Sequence, residues 1–372
     1  MRATLKSEIK KYTQSEVAEF IGTSSPTITK FLNGTQETSL STTLELVRYL
    51  KPEMEKKMMI HFIKEVKKPL NILIAMEYCS TNRLLKTLDF LLKKHSDTNN
   101  HELKEYLNIY ELMLKWQVKG ENFSVEELSQ QVRMIKATSD ECHILAKIME
   151  VYFYNYKGKY NLVYDLAKDI QPLINSLDNN FFKCSFSARI AEDMSLMALT
   201  LHNDVEQARK LALFVIKSKI GKSFSAYAHY VLGASYFYED YDKCKMHYTK
   251  AIKVYEKYCP SNVSEIEKEL EFASAYHNIT DYDYKNEVAK AYTSQNAQNG
   301  SDLILKDLKV NTLTGLETML IGMLNEDEKT LMQAFTKFVQ EKDMFNANHV
   351  KKQLEAMNVD TMILDNLMNL FA

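Results

Sequence analysis

Helix-forming sequence interrupted at near-regular intervals limits what this chain can fold into more than any other feature. Breaks fall at Ser96–Asn100, Lys119–Asn122, Gly158, Asp178–Asn180, Asn203, Gly221, Pro260, Asn299–Ser301 and Asn325–Asp327, mostly about 15–20 residues apart. Between them apolar residues recur at i, i+3 and i+4, the period of a helix with one buried face. Only 9 Gly and 5 Pro occur in 372 residues, alongside 18 Met, so turn-formers are scarce and strand signals weak. The pattern predicts an all-α chain in which helix pairs recur about every 35–40 residues, as in a helical-repeat solenoid.

The clearest single unit is AYAHYVLGASYFYEDYDKCKMHYTKAIKVYEKYCP, Ala226 to Pro260. It resembles a tetratricopeptide repeat. Leu232, Gly233 and Tyr236 match its first helix, and Tyr248 and Ala251 its second, with one residue missing between them. Gly233 is expected to let the paired helices approach closely. A more degenerate unit starts at Arg189. Most aromatic and Met positions read as core between repeats, and the body as a tetratricopeptide-like domain over residues 69–358.

The first 68 residues read differently. YTQSEVAEFIGTSSPTITKFLNG, Tyr12 to Gly34, predicts two short helices, Gln14–Ile21 and Ser25–Asn33. Ala18 is small where crossing helices meet, and Gly22 suits a turn needing positive φ. Ser24 is a good N-cap and Pro26 fits a first helical turn. Val17, Ala18 and Ile21 form one inward face; Ile28, Phe31 and Leu32 form the other. The spacing resembles the helix-turn-helix of phage repressors and the xenobiotic-response-element-like regulators, and SLSTTLELVRYL resembles their fourth helix. That resemblance implies a second helix lying in the major groove of double-stranded DNA, with Ser24, Ser25, Thr27, Thr29 and Lys30 facing the bases and Gln14 and Asn33 near phosphates. No Arg is present for a bidentate guanine contact, so two heads on a repeated operator are expected. A helical hairpin used only for packing is the alternative.

Charge follows this division. Residues 1–68 carry 12 Lys and Arg against 8 acidic residues, while the remainder carries 35 against 41. A basic head on an acidic body suits a phosphate-binding module joined to something that avoids DNA. The five cysteines, Cys79, Cys142, Cys184, Cys244 and Cys259, are scattered and odd in number, arguing for reduced thiols over a disulfide framework or zinc site. No P-loop, nucleophile elbow or metalloprotease motif occurs, so neither enzyme activity nor a cofactor or metal is expected. With no run of about 18 apolar residues and no apolar N-terminal leader, a cytoplasmic location without membrane association is expected.

A helix-turn-helix head on a tetratricopeptide-like body resembles the peptide-pheromone receptors of Gram-positive bacteria and their phages, the Rap, Rgg, NprR, PlcR and PrgX group. FSAYAHYVLGASYFYEDYDKCKMHY and KKQLEAMNVDTMILDNLMNLFA resemble most the AimR-type arbitrium receptors within it. The resemblance implies a homodimeric transcription regulator of phage lysogeny, switched off by a peptide of about six residues. Relatives are expected to offer Asn where this chain has Met197 or Ala198, and Ala234. The nearby polar candidates for peptide binding are Arg189, Asn203, Lys222, Tyr236 and Asp240, each with an exposed structural role as the alternative. Asp240 in YEDYD either pairs with a peptide Arg or belongs to an acidic inter-helix turn. The segment 359–372 is expected to cap the array or to dimerise through Met362, Ile363, Leu367, Leu370 and Phe371. A chromosomal or plasmid quorum-sensing regulator of the same build, or a helical-repeat protein-binding scaffold, are the other readings.

Overall fold

The computed structural model describes the chain except residues 120–122, 311, 361 and 372, and except the side chains of residues 305, 307–310 and 369–371. Among the described residues it contains twenty-two α-helices, two short 3-10 turns and no strand. Two compact units share the chain, Met1–Ser187 and Ala188–Ala372, and their boundary falls inside a helix.

The first unit opens with a five-helix head: α1 (Arg2–Ile9), α2 (Gln14–Phe20), α3 (Ser25–Leu32), α4 (Leu40–Leu50) and α5 (Glu55–Glu65). Helix pairs follow, α6 (Pro69–Thr81) with α7 (Leu85–Lys94), α8 (His101–Val118) with α9 (Val125–Arg133), and α10 (Asp140–Tyr156) with α11 (Tyr160–Ser176). The unit ends within α12 (Asn180–Thr200). The second unit continues through α13 (Val205–Ser218), α14 (Lys222–Ser235), α15 (Tyr241–Tyr258), α16 (Val263–Tyr276), α17 (Glu287–Thr293) and α18 (Ala297–Val310). It closes with α19 (Gly315–Leu324), α20 (Glu328–Gln340), α21 (Met344–Ala356) and α22 (Met362–Phe371).

Local chemistry explains the head. Thr13 and Glu16 cap α2 reciprocally: Thr13 Oγ1 accepts from Glu16 N at 3.2 Å, and Glu16 Oε2 accepts from Thr13 N at 2.8 Å. Gly22 takes φ +66° in the turn, with no atom within 4 Å of a would-be Cβ, so backbone freedom and not space selects it. Ser24 then caps α3 by accepting from Thr27 N, and Pro26 lies in the first turn. Leu5, Val17, Ile28, Phe31, Leu44, Val47 and Phe62 are buried, and Phe31 meets Phe62 edge-on at 5.9 Å. Ser24→Ala is expected to lower the stability of the first unit by about 1 kcal/mol, read from denaturant unfolding. An unchanged midpoint would mean water replaces this cap at no cost.

The head is hydrogen-bonded to the helix that follows it. Asn71, buried in the first turns of α6, accepts from Leu40 N at 2.8 Å and donates to Thr38 O at 2.8 Å and Glu37 Oε1 at 2.6 Å. The Glu37 carboxylate also accepts from the Lys67 and Lys68 amides, occupying the positive end of α6. Tyr78 on α6 donates to Glu55 at 2.9 Å, and Arg48 on α4 pairs with the same carboxylate at 3.0 Å.

In the second unit the Ala226–Pro260 repeat is α14 with α15. A Cβ on Gly233 would sit 2.4 Å from the Tyr248 ring, and Leu232, Tyr248 and Ala251 are buried. Gly315 faces Phe338 across α19 and α20 in the same way, at 2.6 Å. One expected break is displaced: Asn299–Ser301 lies inside α18. The chain turns earlier, where Gln295 takes φ +53° and Asn296 Oδ1 accepts from Asn299 N at 3.1 Å to start the helix. Gly300 instead admits Leu324 of α19, whose Cδ2 would be 3.1 Å from a Cβ. Cys79, Cys142 and Cys244 are buried, Cys259 is half-buried and Cys184 exposed, all as free thiols.

Candidate functional site

The outward face of α2 and α3 carries the predicted polar set. Gln14, Ser24, Thr29, Lys30 and Asn33 are exposed, and Ser25 and Thr27 half-buried. Their hydroxyls are ordered within the protein: Ser24 Oγ and Thr27 Oγ1 share a hydrogen bond at 2.8 Å, and Thr29 Oγ1 donates to Gln14 Oε1 at 2.9 Å and Ser25 O at 3.0 Å. With its carbonyl engaged, Gln14 keeps its amide N–H groups for an outside acceptor. Thr29, having committed its proton, offers outward a methyl group and lone pairs.

The second unit contains a half-open cavity of ≈ 340 Å³. Its apolar wall comes from Leu196 and Leu199 on α12, Ala234 on α14, Phe272 on α16, Phe338 on α20 and Phe345 on α21. Glu265, Glu269, Glu341 and Asp343 face it with a single lining cation, Lys268, whose Nζ is held 3.1 Å from Glu317 Oε1. Glu269 accepts from Tyr248 OH at 2.6 Å and Tyr230 OH at 3.0 Å, yet burial outweighs both bonds and pushes its pKa up to about 7. Burial likewise pushes Asp343 up to about 6, against hydrogen bonds from Asn346 N at 3.0 Å and Nδ2 at 2.6 Å. A cationic group entering among these carboxyls would favour their ionised forms, so the cavity suits a guest with apolar flanks and a positive charge.

The five residues singled out for peptide binding lie elsewhere than this lining. Arg189 was expected to be exposed if structural; it is 1% exposed, with its guanidinium 5.6 Å from the Phe224 ring centre. Asn203 turns the chain between α12 and α13 with φ +51°, and Lys222 is exposed at the start of α14. Tyr236 lies in a column, with the Arg209 guanidinium 3.6 Å from its ring centre and the His247 ring parallel at 6.1 Å. Asp240 caps α15, accepting from Lys243 N at 3.0 Å and pairing with Lys243 Nζ at 2.9 Å; these bonds hold its pKa below the usual range. YEDYD therefore runs from the turn after α14 into the first residues of α15, with Asp240 as the cap. Ala234 does line the cavity, whereas Met197 and Ala198 are buried. Sequence reading missed Glu269, Asp343 and their tyrosine and asparagine partners. They come from α14, α15, α16 and the start of α21, and no local motif joins them.

At the C-terminus Met362 and Ile363 are 70% and 63% exposed. The neighbouring Leu364 is buried, and Leu367 packs partly against the second unit's core. The side chains of Leu370 and Phe371 lie outside the described residues. Among the described residues no helix is long and apolar enough to cross a membrane, and no three His, Cys, Asp or Glu side chains are grouped to hold a metal ion.

A five-helix head followed by successive helix pairs defines an all-helical protein of the solenoid-like class. Residues 55–356 match the family model for AimR transcriptional regulator-like proteins, and the chain belongs to that family. It is 22% identical over 357 residues to the AimR transcriptional regulator of Bacillus phage phi3T, covering 90% of this chain and 91% of that protein. It is 23% identical over 252 residues to an uncharacterized protein of Bacillus anthracis, covering 62% and 90%. A solved structure of selenomethionine phAimR superposes with a TM-score of 0.76 at 20% identity, over 99% of each chain. A structure of phAimR with its ligand gives 0.64 at 21%, over 87% of this chain and 98% of that one.

Proposed function

We propose that the chain is a DNA-binding transcription regulator whose output is set by a short peptide of about six residues. In a phage genome it would govern the choice between lysis and lysogeny, with the peptide abolishing activation. The observation that carries this reading is the acid-lined cavity inside the family-matched region, a site suited to a cationic side chain flanked by apolar ones. We assign the peptide's charged group to Glu269 and Asp343. Of the other candidates, Arg189 is assigned a packing role and Asp240 a helix cap, while Asn203, Lys222 and Tyr236 are kept as proposed contacts for the rest of the peptide.

The family match begins at residue 55, so the DNA-binding part of the proposal rests on the head's own geometry. A side-chain-capped α3 with Thr29 and Lys30 exposed and Thr27 half-buried supports major-groove entry, and we assign the exposed Gln14 and Asn33 to phosphates. Hydroxyl-rich contacts without Arg are weak singly, which favours a homodimer on a repeated operator. Met362, Ile363, Leu367, Leu370 and Phe371 are the surface we assign to it. Binding of the purified chain to fragments of its own genome, with and without peptides encoded beside its gene, tests the reading. A specific fragment released by one peptide is the expected result; binding indifferent to every neighbouring peptide removes the receptor role. Thr27→Ala with Lys30→Ala is expected to weaken specific binding about 10–100-fold. Unchanged specific binding by that variant would mean another surface reads the operator.

The Bacillus anthracis relative favours a second reading, a regulator of the same build acting in a bacterial rather than a phage circuit. A small secreted-peptide gene without surrounding phage genes would support it.

A further inference from the structure

Five exposed lysines gather where α5 ends, α6 begins and α7 ends: Lys64, Lys67, Lys68, Lys93 and Lys94. Two runs separated in sequence are brought together, since Lys94 Nζ donates to Lys64 O at 3.0 Å. Three carboxylates lie among them, and each is partly engaged. Asp89 pairs with Lys93 at 2.8 Å, and Glu65 is shared by Arg2 at 3.8 Å and His61 at 3.3 Å. Glu37 binds the amides at the start of α6, while Lys68 Nζ donates to the Glu37 carbonyl. The ammonium groups of Lys64, Lys67 and Lys94 form none of the ion pairs found among the described residues. Burial, and then the Lys94 charge, hold the neighbouring His95 below its usual pKa, as expected beside a positive field.

Arg2 connects the cluster to the end of α3. Arg2 Nη1 would lie 3.7 Å from a Cβ at Gly34, just past the end of α3, and its guanidinium is 5.6 Å from the Phe31 ring centre. The same guanidinium reaches Glu65, beside Lys64. Arg2 therefore links the end of α3 to the α5 end of the lysine cluster, all within the first unit.

We propose that Lys64, Lys67 and Lys94 form a second backbone-contact surface, gripping the phosphates of double-stranded DNA that flanks the half-site under α3. This rests on the DNA-binding reading and extends it to surface outside the helix-turn-helix. Lysines at this distance from the bases add affinity and salt dependence while reading no sequence.

The test is the slope of log affinity against log salt for the full chain, on its operator fragment and on unrelated duplex. Each phosphate contact contributes about 0.9 to that slope. The Lys64→Gln, Lys67→Gln, Lys94→Gln variant should flatten it by about 2–3 on both duplexes and leave the ratio of specific to non-specific affinity unchanged. Because Lys94 also braces Lys64 O through the backbone, the pair Lys64→Gln, Lys67→Gln gives an independent check that leaves this brace intact, with an expected change of about 1–2. Arginine at the same three positions should keep the wild-type slope. A wild-type slope in both glutamine variants, with operator binding intact, overturns the flanking surface and leaves the helix-turn-helix reading standing. Absence of salt-dependent DNA binding by the wild-type chain overturns both.

Discussion

Gly233→Ala should destabilise the second unit by about 2 kcal/mol, although alanine is the better helix former by about 1. The added methyl would meet the Tyr248 ring at 2.4 Å, and Tyr248 is fully buried with its hydroxyl held by Glu269 at 2.6 Å. Its other neighbour, Tyr230, lies near-parallel at 6.0 Å, so the ring cannot yield without disturbing the cavity wall. Stability and ligand affinity should therefore fall together. Adding Tyr248→Leu should make the double variant lose less than the two single losses summed, because the leucine vacates the contested space. Denaturant unfolding of the four proteins decides it; strictly additive losses would sink the close-approach argument.

Glu269→Gln is expected to change how stability depends on pH. The folded carboxyl holds its proton to about pH 7, whereas the unfolded one releases it near 4.5. Below about 4.5 both states are protonated and the folded state bears no ionisation cost. As pH rises from 4.5 through 7 the unfolded chain ionises first, so wild-type stability falls, by at most about 3 kcal/mol and by less where cavity water screens the charge. The glutamine variant lacks this term and should gain on the wild type between pH 5 and 8. Asp343 works in the same direction in both proteins, so the difference between them isolates Glu269. A gap independent of pH would show that Glu269 is ionised throughout. In the wild type, a cationic guest should also bind with proton release near pH 6–7, seen as a buffer-dependent heat of binding.

The head was largely legible because its signals are local. Gly22, Ser24 and Pro26 each answer a backbone demand within a few residues, and Ile28, Phe31 and Leu32 supply the buried face. The helix ends of the body were harder to read, for a physical reason. Glycine is the usual sign of a left-handed residue closing a helix, but here Arg83, Lys119, Lys219, Gln295, Glu326 and Lys342 take that conformation. Gly300, where a break was expected, serves helix packing instead. The cavity was illegible for another reason: Tyr230, Glu269 and Asp343 meet only after α14, α16 and α21 have packed. A carboxylate such as Asp240 looks like a ligand group in sequence until its helix cap is seen.

The hydrogen bonds that Asn71 and Glu37 make across residue 68 bear on how such proteins can be recombined. A chimera cut at the charge boundary would separate Glu37 from the amides of Lys67, Lys68 and the side chain of Asn71, and strip Leu40 N of its acceptor. A head must therefore be moved together with the first turn of α6, and a transplantable cassette ends after Asn71. The same bonds leave no slack hinge at this junction, so a tilt of α6 would be delivered to the head as a tilt of the whole head.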